Sequence, residues 1–411
     1  MALPTDPTPP ADVSAGELDS VVSALGAVVR RAIAQHGGWL PFDRFMALAL
    51  YQPGLGYYAN HRRKFGAMPG LGSDFVTAPE LSPFFGRALA VQVAQAISAL
   101  QADGGTAGDC GLGDNTAGGG AAVMEFGAGS GALAEVLLDT LGEAVTHYSI
   151  VDLSGVLRER QQARLARFGH RVQWLDGLPE AFDGVVIGNE VLDAMPVQLL
   201  HFDGAAWFER GVVAARGGAG AGEDDVEGGG EGDGFAWHDR PTTLRPPLDA
   251  GFVPGTTVEI HPQAEAFIST LAGMLRRGLA IFIDYGFPEA EFYLPQRHGG
   301  TLMCHQAHRA DADPLVDVGQ KDITAHVNFT GIALAAQDAG LDVVGYTSQA
   351  RFLLNCGLQA LLEHATLPQR AMAQKLHTEH EMGELFKVIA LARGITIDAL
   401  GFAQGDRTHR L

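Results

Sequence analysis

The most informative stretch of the sequence is Val123-Met-Glu125-Phe-Gly127-Ala-Gly129-Ser-Gly131-Ala-Leu133. It ends an apolar run typical of a buried strand, and residues 132–141 after it show helical spacing of apolar side chains. Glycines at such a turn let the backbone bend tightly and approach a ligand closely. The free N–H groups at the start of the following helix add a positive dipole end. The stretch therefore predicts the ligand-binding turn of a Rossmann-like βα unit.

Two ligands fit this turn. The pattern G-x-G-x-x-A suits the pyrophosphate of a dinucleotide, whereas Glu-x-Gly-x-Gly-x-Gly suits S-adenosylmethionine. Glu125 favours the second ligand, because a carboxylate can serve an ammonium group but repels a pyrophosphate. An NAD-binding oxidoreductase and an ordinary turn without a ligand stay open as alternatives.

Outward from this turn, short apolar runs alternate with helical stretches. Each run is bounded mostly by Gly, Pro or Asp, which is typical of buried parallel strands joined by crossover helices. We therefore predict an α/β fold. The predicted strands are residues 121–126, 148–151, 172–175, 184–187, 279–283, 341–346 and 385–391.

Acidic residues follow two of these strands. Asp152 lies 21 residues past Gly131 (152 − 131 = 21), close to the separation at which an acid accepts hydrogen bonds from ribose hydroxyls. Alternatively, Asp152 caps a helix over residues 153–168. Asp176 follows the next strand and could lie near an adenine, or could simply belong to an Asp-Gly turn.

The fourth predicted strand ends in Gly188-Asn189-Glu190-Val-Leu-Asp193-Ala-Met-Pro196. Open α/β sheets bind ligands at the carboxyl ends of their strands. We therefore expect Asn189, Glu190 and Asp193 to face the reacting group of the ligand. The alternative is that these residues only cap a helix that follows the strand.

The predicted organisation is a core with additions. A hairpin is expected from Trp207–Ala215 and Phe235–Asp239, and a helix from Gln359–His380. The predicted segments are a disordered N-terminus (1–14), a helical extension and loop (15–101), a Gly-rich linker (102–120), the first part of the core (121–202), an inserted hairpin and helix (203–277) that contains a disordered acidic loop (216–234), and the second part of the core with C-terminal helices (278–411).

Composition narrows the class of protein. The 411 residues carry a net charge of −20, which disfavours a nucleic-acid partner. The three cysteines form no C-x-x-C pair and suit a reducing compartment. There is no signal-peptide pattern, and no apolar run reaches the roughly 18 residues of a membrane span. We therefore predict a cytoplasmic protein without membrane insertion.

Cys304-His305-x-x-His308 has no second ligand pair nearby, so no metal site is predicted.

Taken together, these motifs resemble those of the MidA-like family, to which the mitochondrial complex I assembly arginine methyltransferase belongs. The matching blocks are Gly72-Ser-Asp74-Phe-Val-Thr77-Ala-Pro79-Glu80-Leu81, Phe85-Gly86, Glu125 to Gly131, Asp152-Leu153-Ser154, Gly188 to Pro196, Ile283-Asp-Tyr-Gly286 and Asp322-Ile-Thr-Ala-His326-Val-Asn-Phe329. The resemblance implies a seven-stranded class I methyltransferase sheet with an N-terminal helical extension.

The resemblance also implies S-adenosylmethionine as cofactor and methyl transfer to a protein side chain, with an arginine guanidinium favoured. The expected partner is a protein substrate, for which a respiratory-complex subunit is a candidate. A cofactor-binding assembly factor without catalysis is the alternative. The predicted catalytic residues are Asn189, Glu190 and Asp193. The predicted cofactor-binding residues are Asp74, Thr77, Pro79, Glu80, Glu125, Gly127, Gly129, Gly131, Asp152, Leu153 and Asp176.

Overall fold

The computed structural model describes residues 15–60, 77–102, 121–215, 234–249, 251–306 and 309–411, with side chains from residue 22 onward in the first helix. The predictions for residues 1–14, for Asp74, and for most of the linker and of the acidic loop fall outside these ranges. The helices are α1 (Ala15–Gln35), α2 (Phe42–Tyr51), α3 (Ala78–Leu81), α4 (Pro83–Ala102), α5 (Ala132–Leu141), α6 (Gly155–Leu165), α7 (Pro262–Met274), α8 (Glu289–Phe292), α9 (Phe329–Asp338), α10 (Gln349–Asn355), α11 (Leu358–Leu362) and α12 (Leu367–His377). The strands are β1 (Leu40–Pro41), β2 (Ala121–Phe126), β3 (Val145–Val151), β4 (Val172–Leu175), β5 (Phe182–Asn189), β6 (Gln198–Phe202), β7 (Trp207–Ala214), β8 (Phe235–Pro241), β9 (Thr256–Ile260), β10 (Leu275–Phe287), β11 (Met303–Gln306), β12 (Arg309–Asp311), β13 (Asp322–Thr324), β14 (Val327–Asn328), β15 (Asp342–Ser348) and β16 (Phe386–Arg393).

The central sheet has eight strands within the described residues, seven of them in the order β15-β16-β10-β5-β2-β3-β4. The strands from β10 to β4 run parallel, whereas β16 is antiparallel to both of its neighbours. The short strand β14 pairs with the end of β10. The predicted α/β fold with a seven-stranded Rossmann-like sheet is therefore confirmed.

Strand β2, inside the sheet, shows how the sequence forms it. All six residues of β2 are buried, as expected for a parallel strand covered on both faces. Val123 packs in the hydrophobic cluster that contains α4 and α5, and the next residue, Met124, packs in the cluster that contains α7 and α9. Because side chains alternate along a strand, one apolar run fills both layers. The carboxyl edge of the sheet is left for polar groups.

A second, antiparallel sheet lies beside the core. Its order is β1-β7-β6-β9, with β8 paired to β7, so the hairpin predicted from the sequence is present. Helices α1 and α2 of the N-terminal extension pack on this sheet through residues such as Phe42, Phe45 and Val212. Strand β6 begins shortly after β5 ends. The second sheet and the extension therefore border the carboxyl edge of the central sheet.

One local prediction was wrong, and one alternative is excluded. The helix expected over Gln359–His380 is divided into α11 and α12, because Thr366 starts a new helix with a capping box to Gln369 and Pro368 occupies its first turn. The helix after Asn189, which the capping alternative requires, is not formed. The chain instead turns over residues 190–197 and enters β6, so helix capping does not explain Asn189, Glu190 and Asp193.

None of the helices in the described ranges is both long enough and apolar enough to cross a membrane.

Candidate active site

A cavity of about 890 Å³ opens at the carboxyl edge of the central sheet. This volume lies within the range of about 300–1,000 Å³ that small-molecule sites occupy. Its lining residues fall into two groups, which we call the glycine-loop wall and the tyrosine wall. The glycine-loop wall contains Glu125, Gly127, Gly129, Asp152, Leu153, Thr77, Pro79 and Glu80. The tyrosine wall contains Tyr51, Tyr58, Asn189, Glu190, Asp193, Tyr285, Asp322 and His326.

The glycine loop needs its glycines. Gly127, Gly129 and Gly131 have φ angles of 61°, 55° and 81°, in the left-handed region that side chains disfavour. Gly127 and Gly129 line the cavity, and Gly131 stands directly before α5. The loop therefore presents bare backbone to the cavity at the start of a helix.

Glu125 lies at the end of β2, directly before this loop. Its side chain is buried, and Oε2 accepts a hydrogen bond of 2.7 Å from the Tyr148 hydroxyl. Burial raises the pKa of Glu125 to about 7, and the nearby Asp152 adds to this effect. A cation in the cavity would favour the ionised form of this carboxylate.

Asp152 is fixed by hydrogen bonds to the loop that follows it. Its Oδ1 accepts from the Ser154 N–H at 2.9 Å, and its Oδ2 accepts from Gln161 Nε2 at 2.8 Å. Gln161 Nε2 also donates to the Gly129 carbonyl, and Gln161 Oε1 accepts from Trp174 Nε1, each at 2.9 Å. Ser154, rather than Asp152, caps α6. Burial raises the pKa of Asp152 above its usual value.

The segment around α3 joins the extension to the glycine loop. Thr77, Pro79 and Glu80 all line the cavity. The Glu80 carboxylate accepts a hydrogen bond from the Ser130 hydroxyl and forms an ion pair of 3.5 Å with Arg164. These contacts fix the position of α3 against the glycine loop, which follows β2.

Glu190 lies in the turn after β5. It has a φ of 54°, uncommon for a residue with a side chain, and its N–H donates to the Ile283 carbonyl at 2.9 Å. Its Oε1 accepts a hydrogen bond of 3.0 Å from Asn189 Nδ2. Burial, followed by the nearby Asp193, raises the pKa of Glu190 to about 8.

The rest of this turn is held by Asp284 at the end of β10. Asp284 Oδ2 accepts from three successive N–H groups, those of Val191, Leu192 and Asp193, at 3.1, 2.9 and 3.3 Å. Asp193 Oδ2 in turn accepts from the Tyr285 hydroxyl. Burial raises the pKa of Asp193 to about 6. The cavity thus receives two carboxyl groups from one turn, of which that of Asp193 is buried and that of Glu190 is half-buried.

The N-terminal extension supplies two tyrosines to the same wall. The rings of Tyr51 and Tyr58 are stacked, with centroids 5.6 Å apart and planes at 17°. The Tyr58 hydroxyl donates to both carboxylate oxygens of Asp322 at 2.9 Å, and the Tyr51 hydroxyl donates to the Ala194 carbonyl at 2.7 Å. This wall is therefore acidic and aromatic.

The structure separates two predicted residues from the cavity lining. The Asp176 side chain is 88% exposed and pairs with Arg158 at 2.7 Å, as the turn alternative expected. Gly131 lies behind the loop rather than in the lining. Sequence reasoning missed Tyr51 and did not single out Asp322 or His326, although both of the latter lie in a block that carried the resemblance. In the described part of the chain, no three His, Cys, Asp or Glu side chains form a group suited to a metal ion.

The sheet order, the three glycines at positive φ and the acids at the carboxyl ends of β2, β3 and β5 define a class I S-adenosylmethionine-dependent methyltransferase. The sequence profile of a family described as S-adenosyl-L-methionine-dependent methyltransferases matches residues 89–347, more than half of the chain. The chain belongs to this family.

Similar proteins agree with this assignment. A protein of Burkholderia thailandensis whose crystal structure contains S-adenosyl-homocysteine is 45% identical, with a TM-score of 0.85 and coverage of 97% of this chain and 100% of that chain. The Drosophila melanogaster protein named protein arginine methyltransferase NDUFAF7 homolog, mitochondrial, is 26% identical over 87% of this chain and 82% of its own length. The Danio rerio protein arginine methyltransferase NDUFAF7, mitochondrial, is 25% identical over 86% of this chain and 83% of its own length. The predicted cofactor and enzyme class are thereby confirmed, in place of the NAD-binding oxidoreductase.

The relatives correct the predicted location. Those from Drosophila melanogaster, Caenorhabditis elegans, Danio rerio and Xenopus tropicalis are all named mitochondrial, which contradicts a cytoplasmic placement. The prediction rested on few cysteines and on the lack of a long apolar run. These features are common to reducing compartments in general, so they could not select one of them.

Proposed function

We propose that this protein methylates an arginine side chain of a protein substrate. The observation that carries the proposal is the tyrosine wall, where the half-buried carboxyl group of Glu190 and the buried carboxyl group of Asp193 share one cavity with the glycine loop. A guanidinium group presents N–H donors in a planar fork that matches carboxylate oxygens. The names of the curated relatives support an arginine substrate. The resemblance described above extends the proposal to a subunit of a respiratory complex.

The residues of the glycine-loop wall fit the cofactor. We assign the bare backbone of Gly127 and Gly129 to its amino-acid end, with Glu125 for the ammonium group and Asp152 for the ribose hydroxyls. We place Thr77, Pro79, Glu80 and Leu153 at its periphery, since they line the same cavity. When bound, S-adenosylmethionine supplies a methyl group that its sulfonium already activates.

The protein must then align the guanidinium nitrogen with the methyl group and stabilise the charges of the reacting groups. Glu190 and Asp193 grip the guanidinium so that one nitrogen faces the methyl group. As that nitrogen forms the N–C bond and the C–S bond breaks, the nitrogen must lose one proton. Asp193 can accept this proton and pass it to solvent, because its pKa is raised to about 6. Asn189 orients Glu190 through their hydrogen bond.

The test uses a lysate of cells that lack the protein. The purified enzyme is added with S-adenosylmethionine that carries a labelled methyl group, and labelled peptides are sequenced by mass spectrometry. We expect the label on arginine nitrogens of one protein or a few proteins. Label on lysine or on carboxyl groups would contradict the arginine proposal. Binding of S-adenosyl-homocysteine without any transfer would favour a cofactor-binding assembly factor.

A further inference from the structure

His326 lies at the cavity between β13 and β14, and the proposed mechanism does not use it. Its backbone is fixed: the N–H donates to Thr301 Oγ1 at 3.0 Å, and the carbonyl accepts from His261 Nε2 at 2.9 Å. Its imidazole Nδ1, in contrast, is buried without a hydrogen-bond partner among the described residues. The main chain at His326 is thus anchored while the ring has unused hydrogen-bonding capacity.

Three further residues of the same cavity share this property. Asn189 Oδ1, Asp193 Oδ1 and Thr324 Oγ1 are buried without partners in the described ranges, and the three residues are only 8%, 5% and 3% exposed. A buried polar atom without a partner destabilises the folded state by about 1–3 kcal/mol, and native proteins contain few of them. Four such side chains at one cavity indicate a ligand that supplies several hydrogen-bond donors.

The His326 ring is held between aromatic neighbours. It stacks on Phe287, with centroids 5.3 Å apart and planes at 11°, and it meets Tyr285 edge to face at 5.1 Å. The Arg297 guanidinium lies 3.9 Å from the centroid of the Phe287 ring. Tyr285 also donates to Asp193, so His326 and Asp193 contact the same tyrosine.

This environment keeps the imidazole uncharged. Burial, and then the charge of Arg297, lowers the pKa of His326 to about 4. A neutral imidazole carries one acceptor nitrogen and does not repel a cation. A protonated imidazole has no acceptor nitrogen, and its positive charge would repel a cationic substrate.

We propose that His326 contacts the substrate, accepting a hydrogen bond from the same guanidinium group that Glu190 and Asp193 bind. A guanidinium has five N–H donors, and a carboxylate fork uses two of them. The guanidinium N–H groups that do not bind a carboxylate require neutral hydrogen-bond acceptors. This inference rests on the proposed arginine substrate and adds a specificity-determining residue to it.

Two substitutions separate hydrogen bonding from packing. His326→Phe keeps an aromatic ring beside Phe287 but has no acceptor, whereas His326→Gln keeps an acceptor without the ring. With a labelled arginine peptide found in the lysate experiment, we expect His326→Phe to lower kcat/KM by about tenfold or more, mainly through KM. His326→Gln should recover part of this loss. Calorimetry should show unchanged affinity for S-adenosyl-homocysteine in both variants.

Two different results would overturn the proposed contact between His326 and the substrate. A wild-type kcat/KM for His326→Phe, with wild-type transfer to arginine intact, overturns the contact and leaves the proposed function standing. Loss of S-adenosyl-homocysteine binding in both variants shows a structural role and also overturns it.

A binding experiment tests the His326 contact without a known protein substrate. The imidazole ¹⁵N resonances of His326 are identified by their absence from His326→Phe. They are then followed as N-acetylarginine methylamide is added to the complex with S-adenosyl-homocysteine, with N-acetylnorleucine methylamide as control. We expect a shift with the arginine compound alone. No shift would overturn the contact, and failure of the enzyme to label any arginine would separately overturn the proposed function.

Discussion

Glu190 combines a left-handed backbone, a half-buried side chain and a pKa that desolvation raises to about 8. Strained or costly arrangements of this kind persist where the surrounding structure enforces them, and they concentrate at functional sites. Here the enforcing contacts come from Ile283, Asn189 and Asp284.

Glu190→Gln should keep cofactor affinity and lower methyl transfer. Loss of one charge-assisted contact corresponds to about 1.5–3 kcal/mol, and about 1.36 kcal/mol changes a rate tenfold, so kcat/KM should fall about 10- to 100-fold. Transfer rates to the arginine peptide and calorimetry with S-adenosyl-homocysteine measure the two properties. Asp176→Asn is the matched control, because Asp176 is an exposed carboxylate outside the cavity lining. Equal rates for wild type and Glu190→Gln would remove Glu190 from the substrate site.

The raised pKa of Glu190 also predicts a pH dependence. Below about pH 8 the carboxyl group is largely protonated in the free enzyme and cannot attract a cation. The kcat/KM of wild type should therefore rise with pH up to about 8, and Glu190→Gln should have a flatter profile.

The stability of the folded protein should fall as pH rises, whereas kcat/KM should increase. Between about pH 4.5 and 8 the folded protein retains a proton that the unfolded chain has lost, so the free energy of unfolding falls as pH rises through this window. Thermal melts at pH 5 and pH 8 should show a smaller loss of stability for Glu190→Gln than for wild type. Identical pH profiles of both activity and stability would contradict the pKa assignment.

At the scale of elements, the glycine loop allows a controlled comparison. Gly129 and Gly142 have nearly equal φ angles of 55° and 53°, but only Gly129 lines the cavity. Because both φ angles are positive, a side chain at either position should destabilise the fold. Gly129→Ala should in addition weaken S-adenosyl-homocysteine binding strongly, while Gly142→Ala should leave it unchanged. Calorimetry on both variants decides this, and equal affinities would exclude the loop from the cofactor site.

The elements also show what sequence can and cannot predict. Strand β2 and helix α5 could be predicted because their periodicity is local. Glu125 and Gly127 could be predicted because they lie at the end of that strand and directly after it. Tyr51 and His326 could not be predicted in the same way. They come from segments that are far apart in the chain, and only the packing of the extension and the second sheet brings them to one cavity.

Local sequence also misled in identifiable places. Asp176 ends a strand as Asp152 does, but it points to solvent and pairs with Arg158. The turn after Asn189 continues into a strand of another sheet, which no periodicity over residues 190–197 could indicate. In both cases the tertiary arrangement decided between two locally reasonable structures.

For the whole molecule, the net charge of −20 predicts a salt dependence. An acidic protein attracts a basic substrate at long range, and salt screens this attraction, since the Debye length is about 10 Å at 0.1 M. Raising NaCl from about 50 to 500 mM should lower kcat/KM for a basic arginine peptide. The affinity for S-adenosyl-homocysteine, which binds by local contacts, should change much less. A salt-independent kcat/KM would show that the overall charge plays no part in substrate capture.

The chain of contacts from Asp152 through Gln161 to the indole of Trp174 has an optical consequence. The other three tryptophans, Trp39, Trp207 and Trp237, lie in or next to the second sheet, so Trp174 alone is linked to the predicted ribose contact. Filling the cofactor site should disturb that hydrogen bond and change the intrinsic fluorescence. We expect a saturable change in emission when S-adenosyl-homocysteine is titrated, absent in Trp174→Phe although calorimetry still detects binding. If the signal persists in Trp174→Phe, another tryptophan reports the event; if it vanishes, this enzyme carries its own label-free sensor of cofactor occupancy.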